Sequence, residues 1–361
     1  MLKGKKFYYL GATTADGFVS FFPDCYNYRL GDKAYILKGG AGTGKSTLMK
    51  KAAATAQKKG VQVIYCPCSS DPSSLDGVIF PEIRTVILDG TSPHIIEPKM
   101  PGVCEQIVNL GEAFKKDGFS GNEKEIIALC DKNKACHKSA AGYMSAAGKL
   151  LLDARRLTRE CADSGKIIKA ALSLCDRIIP KRYSLYGGLE SFRFISTPTV
   201  NGTAFLSETI TAEAEQFFVL EDEYRAVAPF ILDILKEKAK ASGYSVITLL
   251  NPYLPSKVAD HIIIPELKTA VCTHSRYTPL SNLLQTRMIH SRRFTDVTSL
   301  RNIRPRLKFD RRAANEMIDS AVKCITEAKA IHDQIEKYYI NAIDFAIVDK
   351  ITQDVIAKIF N

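Results

Sequence analysis

Four glycines, at positions 39, 40, 42 and 44, lie directly before a lysine and two hydroxyl residues. This spacing fits the phosphate-binding loop pattern, in which glycines let backbone N–H groups turn inward and meet the positive end of a helix dipole. The pattern predicts that Lys45 contacts the β- and γ-phosphates of a nucleotide and that Ser46 ligates Mg²⁺. The expected nucleotide-binding residues are Gly39, Gly40, Ala41, Gly42, Thr43, Gly44, Lys45, Ser46 and Thr47.

The flanking segments could position such a loop. Residues 34–37 form a short apolar run typical of a buried strand, and residues 47–59 form an alanine-rich stretch typical of a helix that stops at Gly60. The alternative is a glycine-rich turn without a ligand. The order of strand, glycine loop and helix favours nucleotide binding.

Length and composition indicate a soluble protein with two domains. The chain has 361 residues, of which 46% are hydrophobic and 25% charged. No stretch has the pattern of a signal peptide or the length of a membrane span. Ten scattered cysteines indicate reduced thiols rather than a disulfide framework, so we expect a cytoplasmic protein.

The sequence contains an internal repeat. Residues 78–85 (VIFPEIRT) match residues 262–269 (IIIPELKT) at a shift of 184, and three other features recur at nearly the same shift. One of these features is a predicted β-hairpin in each copy, with turns at Asp16-Gly17 and Asn201-Gly202. We therefore predict an α/β protein of two tandem phosphate-loop NTPase-like domains, residues 1–180 and 181–361. Each would have a mainly parallel sheet covered by helices and a helical-hairpin tail, over residues 123–179 and 311–360, the second with a break near Asn341.

The second copy has lost the residues that would bind phosphate. Ala228 stands opposite Lys45, and Pro229 stands opposite Ser46. Asp222 adds negative charge where phosphates would lie. We therefore expect the second copy to be degenerate and the nucleotide to bind only to the first.

Comparison of the two copies also separates catalytic candidates from structural ones. Asp89, at the end of a predicted strand, has the form of an acid that supports Mg²⁺, often through water, and its counterpart is Thr273. Asp71, whose counterpart is Leu254, is a second candidate. The predicted catalytic residues are Lys45, Asp89 and Asp71, and the predicted metal ligands are Ser46 and Asp89.

Two further residues have simpler interpretations. Glu82 persists as Glu266 in the degenerate copy, which indicates a structural role. A residue near Thr278 stands opposite His94, but a hydrogen-bonded surface histidine is the simpler and preferred interpretation.

Most of the excess positive charge lies in one segment. The chain carries a net charge of +11, and residues 287–312 contain nine basic side chains against two acidic ones. The segment could contact nucleic acid, an acidic partner or nucleotide phosphates, or it could be a solvated loop. The basic residues are Arg287, Arg292, Arg293, Arg301, Arg304, Arg306, Lys308, Arg311 and Arg312.

These motifs together resemble a little-characterised bacterial family of tandem P-loop proteins described as ATPases or ATP-binding proteins. The matching blocks are residues 10–13 with Gly17, 36–49, 68–72, 74–77 and 89–94. The resemblance implies the duplicated fold and ATP as ligand. The sequence departs from the family in lacking the second phosphate loop.

Three functions are compatible with the sequence. The first is a Mg²⁺-dependent ATP hydrolase or ATP-driven switch, in which Asp71 orients water and an arginine from residues 287–312 or the other copy completes the site. The second is a kinase for a small molecule or nucleotide, with Arg155, Arg156 and Arg159 as a lid. The third is a nucleotide-gated module that binds nucleic acid or protein. ATP is preferred to GTP because no Asn-Lys-x-Asp element follows a suitable strand.

Overall fold

The computed structural model describes residues 4–182, 186–280 and 287–361. Its helices are α1 (Lys45–Lys58), α2 (Glu123–Glu160), α3 (Ser164–Ile178), α4 (Ser207–Glu213), α5 (Ala228–Ala241), α6 (Val297–Ala342) and α7 (Phe345–Phe360). The first eight strands are β1 (Lys6–Phe7), β2 (Gly11–Thr14), β3 (Gly17–Ser20), β4 (Lys33–Lys38), β5 (Ile64–Pro67), β6 (Leu75–Phe80), β7 (Thr85–Asp89) and β8 (Glu105–Asn109). The other eight are β9 (Glu190–Arg193), β10 (Ser196–Thr199), β11 (Gly202–Phe205), β12 (Gln216–Glu221), β13 (Val246–Leu250), β14 (Ala259–Ile264), β15 (Thr269–His274) and β16 (Arg287–His290).

Two six-stranded sheets form the body of the molecule. The first has the order β1-β5-β6-β7-β4-β8, and the second has the order β9-β13-β14-β15-β12-β16. Only β6 in the first sheet and β14 in the second run antiparallel to their neighbours. The structure therefore confirms an α/β fold with two mainly parallel sheets covered by helices, and the two sheets have the same order.

The elements on either side of the glycine loop form as expected. Strand β4 is apolar and buried from Ala34 to Leu37. Helix α1 buries one face on the sheet, through Leu48, Met49 and three alanines, and the chain reverses at Gly60 with φ of 77°. The two predicted hairpins are β2–β3 and β10–β11, whose turn glycines also have positive φ angles.

Helices α2 and α6 are long and pack against each other in antiparallel orientation. Asn133 Nδ2 donates to the carbonyl of Ala328 at 2.7 Å, and Arg306 Nη2 lies 3.0 Å from a carboxylate oxygen of Asp153. The predicted break near Asn341 is confirmed between α6 and α7. The first tail is also broken, after Glu160, where the Asp163 side chain caps α3.

The second tail begins earlier than predicted. Helix α6 starts at Val297 rather than near residue 311, because the Asp296 carboxylate accepts hydrogen bonds from the N–H groups of Thr298 and Ser299. Most of the basic segment is therefore helical and not a loop.

The tails cross between the two halves of the chain. Helix α3 packs on α5 and the second sheet, with Ile167 and Leu174 in that core. Helix α7 packs on α1 and the first sheet, with Val348 and Val355 in that core. Each sheet is thus covered by a helix from the other half. The predicted domain boundary at residues 180 and 181 stays a prediction.

The halves also meet through a symmetric pair of hydrogen bonds. The N–H of Tyr9 donates to the carbonyl of Phe194 at 2.8 Å, and the N–H of Phe194 donates to the carbonyl of Tyr9 at 3.0 Å. Each residue lies two positions before the first strand of a hairpin, so equivalent positions face each other. Within the described ranges, no helix is both long and apolar enough to cross a membrane.

Candidate functional site

The glycine loop, residues 39–46, joins the end of β4 to the start of α1. Gly42 and Gly44 have φ angles of 63° and 89°, which residues with a side chain rarely adopt. Lys45 folds back so that Nζ donates to the carbonyls of Gly39 at 3.0 Å and Gly40 at 2.7 Å. The Thr43 hydroxyl also donates to Gly40, at 2.9 Å, and Lys45 and Thr43 together fix the curve of the loop.

The loop presents donors that the rest of the described chain does not use. Outside helices and strands, none of the described hydrogen bonds is donated by the N–H of Gly40, Gly42 or Gly44. These groups lie at the start of a 14-residue helix, where the helix dipole also favours negative charge. The arrangement can bind an anion. Thr47 lies exposed in the first turn of α1.

Lys45, Ser46 and Asp89 are brought together. Strand β7 lies parallel to β4 with Asp89 opposite Leu37, so both strands end at the same edge. Asp89 Oδ2 lies 3.7 Å from Lys45 Nζ, while Oδ1 accepts from the Thr91 N–H and hydroxyl at 2.9 and 2.5 Å. The Ser46 hydroxyl oxygen accepts from the Leu75 N–H at 3.0 Å, which leaves one lone pair. Two hard oxygen donors beside an anion site fit Mg²⁺.

Asp71 lies on the turn after β5 and is held by two partners. Its carboxylate accepts from the Ser73 N–H and hydroxyl at 3.1 and 2.6 Å, and Lys329 Nζ lies 3.4 Å away. Partial burial raises the pKa of Asp71, but Ser73 and Lys329 outweigh this effect and leave it below its usual value. Within the described chain, no hydrogen bond or ion pair joins Asp71 to Lys45 or Asp89.

Asp76 is an acidic residue of this site that sequence reasoning missed. Because Gly77 pairs with Leu88 across antiparallel strands, the preceding Asp76 lies beside Asp89. Burial and the charge of Asp89 raise the pKa of Asp76 to about 7. The match between Asp76 and Asp260, at the 184-residue shift, was the available sequence signal.

His94 is buried and not a surface residue, so the simpler interpretation of this histidine is wrong. Its Nε2 lies 3.4 Å from Asp76 Oδ2, and its ring stacks on Phe22 with centroids 4.5 Å apart. Burial lowers the pKa of His94 to about 4, which keeps the ring neutral. Its Nδ1 is buried without a hydrogen-bond partner among the described residues.

Helix α6, from the other half, lies over the glycine loop. A Cβ added at Gly40 would lie 2.0 Å from the Tyr339 ring, and one added at Gly42 would lie 2.7 Å from Cγ of Glu336. These glycines therefore also permit close helix packing. Sequence reasoning missed Glu336 and Tyr339 because nothing local connects them with a loop nearly three hundred residues earlier.

The same helix carries a cluster of metal-binding residue types. His332, Asp333 and Glu336 each place one ligand atom within 4.8 Å of the others. The Asp333 carboxylate, however, is already in contact with the Lys329 ammonium, which opposes a cation there.

The predicted arginines do not reach the loop. About 25 Å of helix separates Arg312 from Lys329, at ~1.5 Å per residue. Arg155 Nε donates to the carbonyl of Arg225 at 2.9 Å, and the Arg159 guanidinium lies 4.3 Å from the Phe230 ring centroid. Arg156 pairs with Asp153 and Glu160 on its own helix. The structure therefore shows Arg155, Arg156 and Arg159 engaged with residues outside the glycine loop, and an arginine that completes the site stays a prediction.

The equivalent position in the second half is filled by a carboxylate. Asp222 Oδ2 accepts from the N–H of Val227 at 2.7 Å and of Ala228 at 2.8 Å, at the start of α5. Arg225, which is also buried, forms two hydrogen bonds with Asp260 at 3.0 and 3.2 Å. The N–H groups of Val227 and Ala228, which could otherwise bind an anion, are thus satisfied within the chain.

Comparison with protein-family models, curated proteins and solved structures found no match to this chain. Its own side chains and their geometry therefore carry the functional conclusion.

Proposed function

We propose that the protein binds ATP at the glycine loop and acts as a Mg²⁺-dependent ATPase or an ATP-driven switch with one active and one degenerate site. One contrast carries the proposal. In the first half, no described hydrogen bond outside helices and strands is donated by the N–H of Gly40, Gly42 or Gly44. In the second half, the Asp222 carboxylate accepts from the N–H groups at the start of α5. A carboxylate in that position imitates a bound phosphate oxygen.

We further propose that the chain arose by tandem duplication of a phosphate-loop domain. The identical order of the two sheets supports this origin. Glu82 and Glu266 support this origin as well. The Glu82 carboxylate accepts a hydrogen bond from the N–H of Gln62, shortly before β5, and the Glu266 carboxylate accepts one from the N–H of Ser245, directly before β13.

In the proposed reaction, the loop N–H groups and Lys45 bind the β- and γ-phosphates. Mg²⁺, held by Ser46 and supported by Asp89, would neutralise phosphate charge. Asp71 orients a water molecule toward the terminal phosphorus. The new bond joins that water oxygen to phosphorus and the bond to the ADP oxygen breaks. One proton of the water stays on the released phosphate, the other passes to solvent, and ADP and phosphate leave.

Replacing Lys45 by alanine tests the proposal. The variant should lose Mg²⁺-ATP binding in calorimetry and phosphate release in a turnover assay, because the loop loses its only side-chain cation. Lys58→Ala, at the exposed end of the same helix, is the matched control and should behave as wild type. Wild-type turnover in Lys45→Ala would contradict the proposal.

A kinase for a small molecule or nucleotide is the alternative, with Asp71 as base. Because Arg155, Arg156 and Arg159 have partners outside the glycine loop, this alternative depends on Asp71 as the residue that would deprotonate the acceptor. Screening ATP consumption against metabolite pools separates the two functions, because a kinase requires an acceptor and a hydrolase does not.

The third candidate is nucleotide-gated binding of an acidic partner or nucleic acid. One face of α6 carries four basic residues without an acidic partner in the described structure: Arg301, Arg304, Lys308 and Arg311. Binding of DNA or RNA that weakens steeply with salt would support this function.

A further inference from the structure

One segment of α6 crosses the whole mouth of the candidate site. Lys329 contacts the turn after β5, and Tyr339 contacts the loop after β4. Those strands are three steps apart in the sheet, roughly 14 Å at ~4.8 Å per step. The two side chains are about 15 Å apart along the helix. A ligand bound at the carboxyl ends of these strands must therefore lie beneath residues 329–339.

The electrostatics agree with this placement. The pKa of His332 is lowered, mainly because its ring is buried. The carboxylates of Glu336 and Asp333 raise this pKa, whereas the charges of Lys329 and Lys45 lower it. Lys45 of the glycine loop and Lys329 of α6 thus both lie close enough to His332 for their charges to affect its pKa.

Lys329 is a cation held between two acids. Its ammonium lies 3.4 Å from Asp71 Oδ2 and contacts the Asp333 carboxylate, and its side chain is only 25% exposed. Burial alone would lower the pKa of Lys329, but the two carboxylates outweigh it and keep the group charged. In the described structure Lys329 therefore connects α6 with the Asp71 turn.

We propose that Lys329 is the residue by which the site distinguishes a nucleoside triphosphate from a diphosphate. The inference rests on the proposed function, because it assumes that the glycine loop binds the nucleotide. A terminal phosphate beneath α6 replaces Asp71 as the partner of the Lys329 ammonium. A diphosphate does not extend that far, so Lys329 stays with Asp71.

This exchange links binding to catalysis. When Lys329 turns to the phosphate, Asp71 loses one of its two partners and can accept a hydrogen bond from the attacking water. The proposed water-orienting residue therefore becomes available only when a triphosphate is bound. The cation is Lys329 in the carboxyl-terminal half of α6, and not an arginine of residues 287–312.

The test compares Mg²⁺-ADP with a Mg²⁺-bound non-hydrolysable ATP analogue by calorimetry. Lys329→Met should bind ADP within about twofold of wild type and bind the triphosphate at least tenfold more weakly, since a charge-assisted hydrogen bond is lost. Lys323→Met, on an exposed part of the same helix, is the control and should match wild type. Equal weakening for both nucleotides, or for neither, would overturn the inference.

A second measurement uses the wild-type protein, so it does not depend on the folding of a variant. Amide hydrogen exchange in residues 325–340 should be slower with the triphosphate analogue than with ADP. Equal exchange with both nucleotides would overturn the role of Lys329 and leave ATP binding intact. Failure of wild type to bind either nucleotide would instead refute the proposed function.

Discussion

At the scale of single residues, one carboxylate decides whether a helix start is available to an anion. Asp222 accepts two N–H groups that open α5, while the corresponding part of the glycine loop has no such acceptor among the described residues. The N–H groups and the dipole make the start of each helix positive, and Asp222 neutralises this charge at α5, whereas Lys45 adds to it at α1. In the proposed function Lys45 binds an external anion, whereas the Asp222 carboxylate is an internal one.

Asp222→Ala should therefore destabilise the protein by about 1–2 kcal/mol, because two buried donors lose their acceptor. Urea denaturation measures the loss. Millimolar sulfate should restore part of the stability in this variant and have little effect on wild type. Glu223→Ala, which removes a half-exposed ion pair, is the control and should cost less than about 1 kcal/mol. Equal stability of Asp222→Ala and wild type would show that the carboxylate is not an anchor.

Asp76 predicts a specific pH dependence of stability. Because its pKa is raised to about 7 in the folded state, the folded protein holds a proton that the unfolded chain releases near pH 4. The stability contributed by this group is thus present at low pH and is lost as pH rises toward 7. His94, whose folded pKa is about 4, contributes in the opposite direction between pH 4 and 6.5 and partly masks the effect.

Asp76→Asn removes the titrating carboxyl group of Asp76 and keeps a side chain of similar shape beside His94. The stability of the variant relative to wild type should rise between pH 4 and 8 by on the order of 3 kcal/mol, at ~1.4 kcal/mol per pKa unit. Urea titrations at several pH values without Mg²⁺ measure it. A constant difference across this range would contradict the raised pKa.

At the scale of elements, close packing of α2 explains a glycine that helix propensity disfavours. A Cβ at Gly148 would lie 2.4 Å from the Cβ of Ala15, at the β2–β3 turn. Gly142, one and a half turns away, is exposed and has no atom within 4 Å of such a Cβ. The same residue type on one helix thus has a packing role at only one of these two positions.

The two glycines provide a matched pair of variants. Gly142→Ala should stabilise the protein by about 1 kcal/mol through helix propensity alone. Gly148→Ala should destabilise it, because the gain is outweighed by the displacement of the hairpin backbone. Thermal unfolding of both variants checks the opposite signs. Stabilisation by both would mean that α2 and the hairpin separate easily.

The sequence predicted most of what is local. It gave the strand, loop and helix around Lys45, both hairpin turns and the break near Asn341, because each depends on neighbouring residues. It placed Asp89 beside Lys45 correctly, since parallel strands end at one edge. It missed Asp76, because only the pairing of β6 with β7 brings this residue beside Asp89. It missed Lys329 and Tyr339, because they lie on α6, in the other half of the chain.

At the scale of the whole molecule, the exchange of helices makes each half incomplete alone. Val348 and Val355 of α7 belong to the core of the first sheet, and α6 lies over its glycine loop. Reciprocally, α3 belongs to the core of the second sheet. A cut between the sheets therefore separates each core from a helix that covers it.

A fragment of residues 1–180 should consequently fail to unfold cooperatively and fail to bind Mg²⁺-ATP. Mixing it with a fragment of residues 181–361 during refolding should recover both properties, because α7 then reaches α1. Circular dichroism and calorimetry on the separate and mixed fragments check this. Independent folding of the first fragment with full nucleotide affinity would show that α7 is dispensable.

The position of α7 also has a consequence for protein synthesis. At ~5–20 residues per second, on the order of ten seconds or more separates the appearance of the first sheet at the ribosome from that of the helix which covers it. During this interval the part of the first core that Val348 and Val355 of α7 cover stays exposed and is a target for chaperones. A nascent chain whose translation stops before α7 lacks a helix of its first core, so the proposed nucleotide site is completed only after α7 has been made.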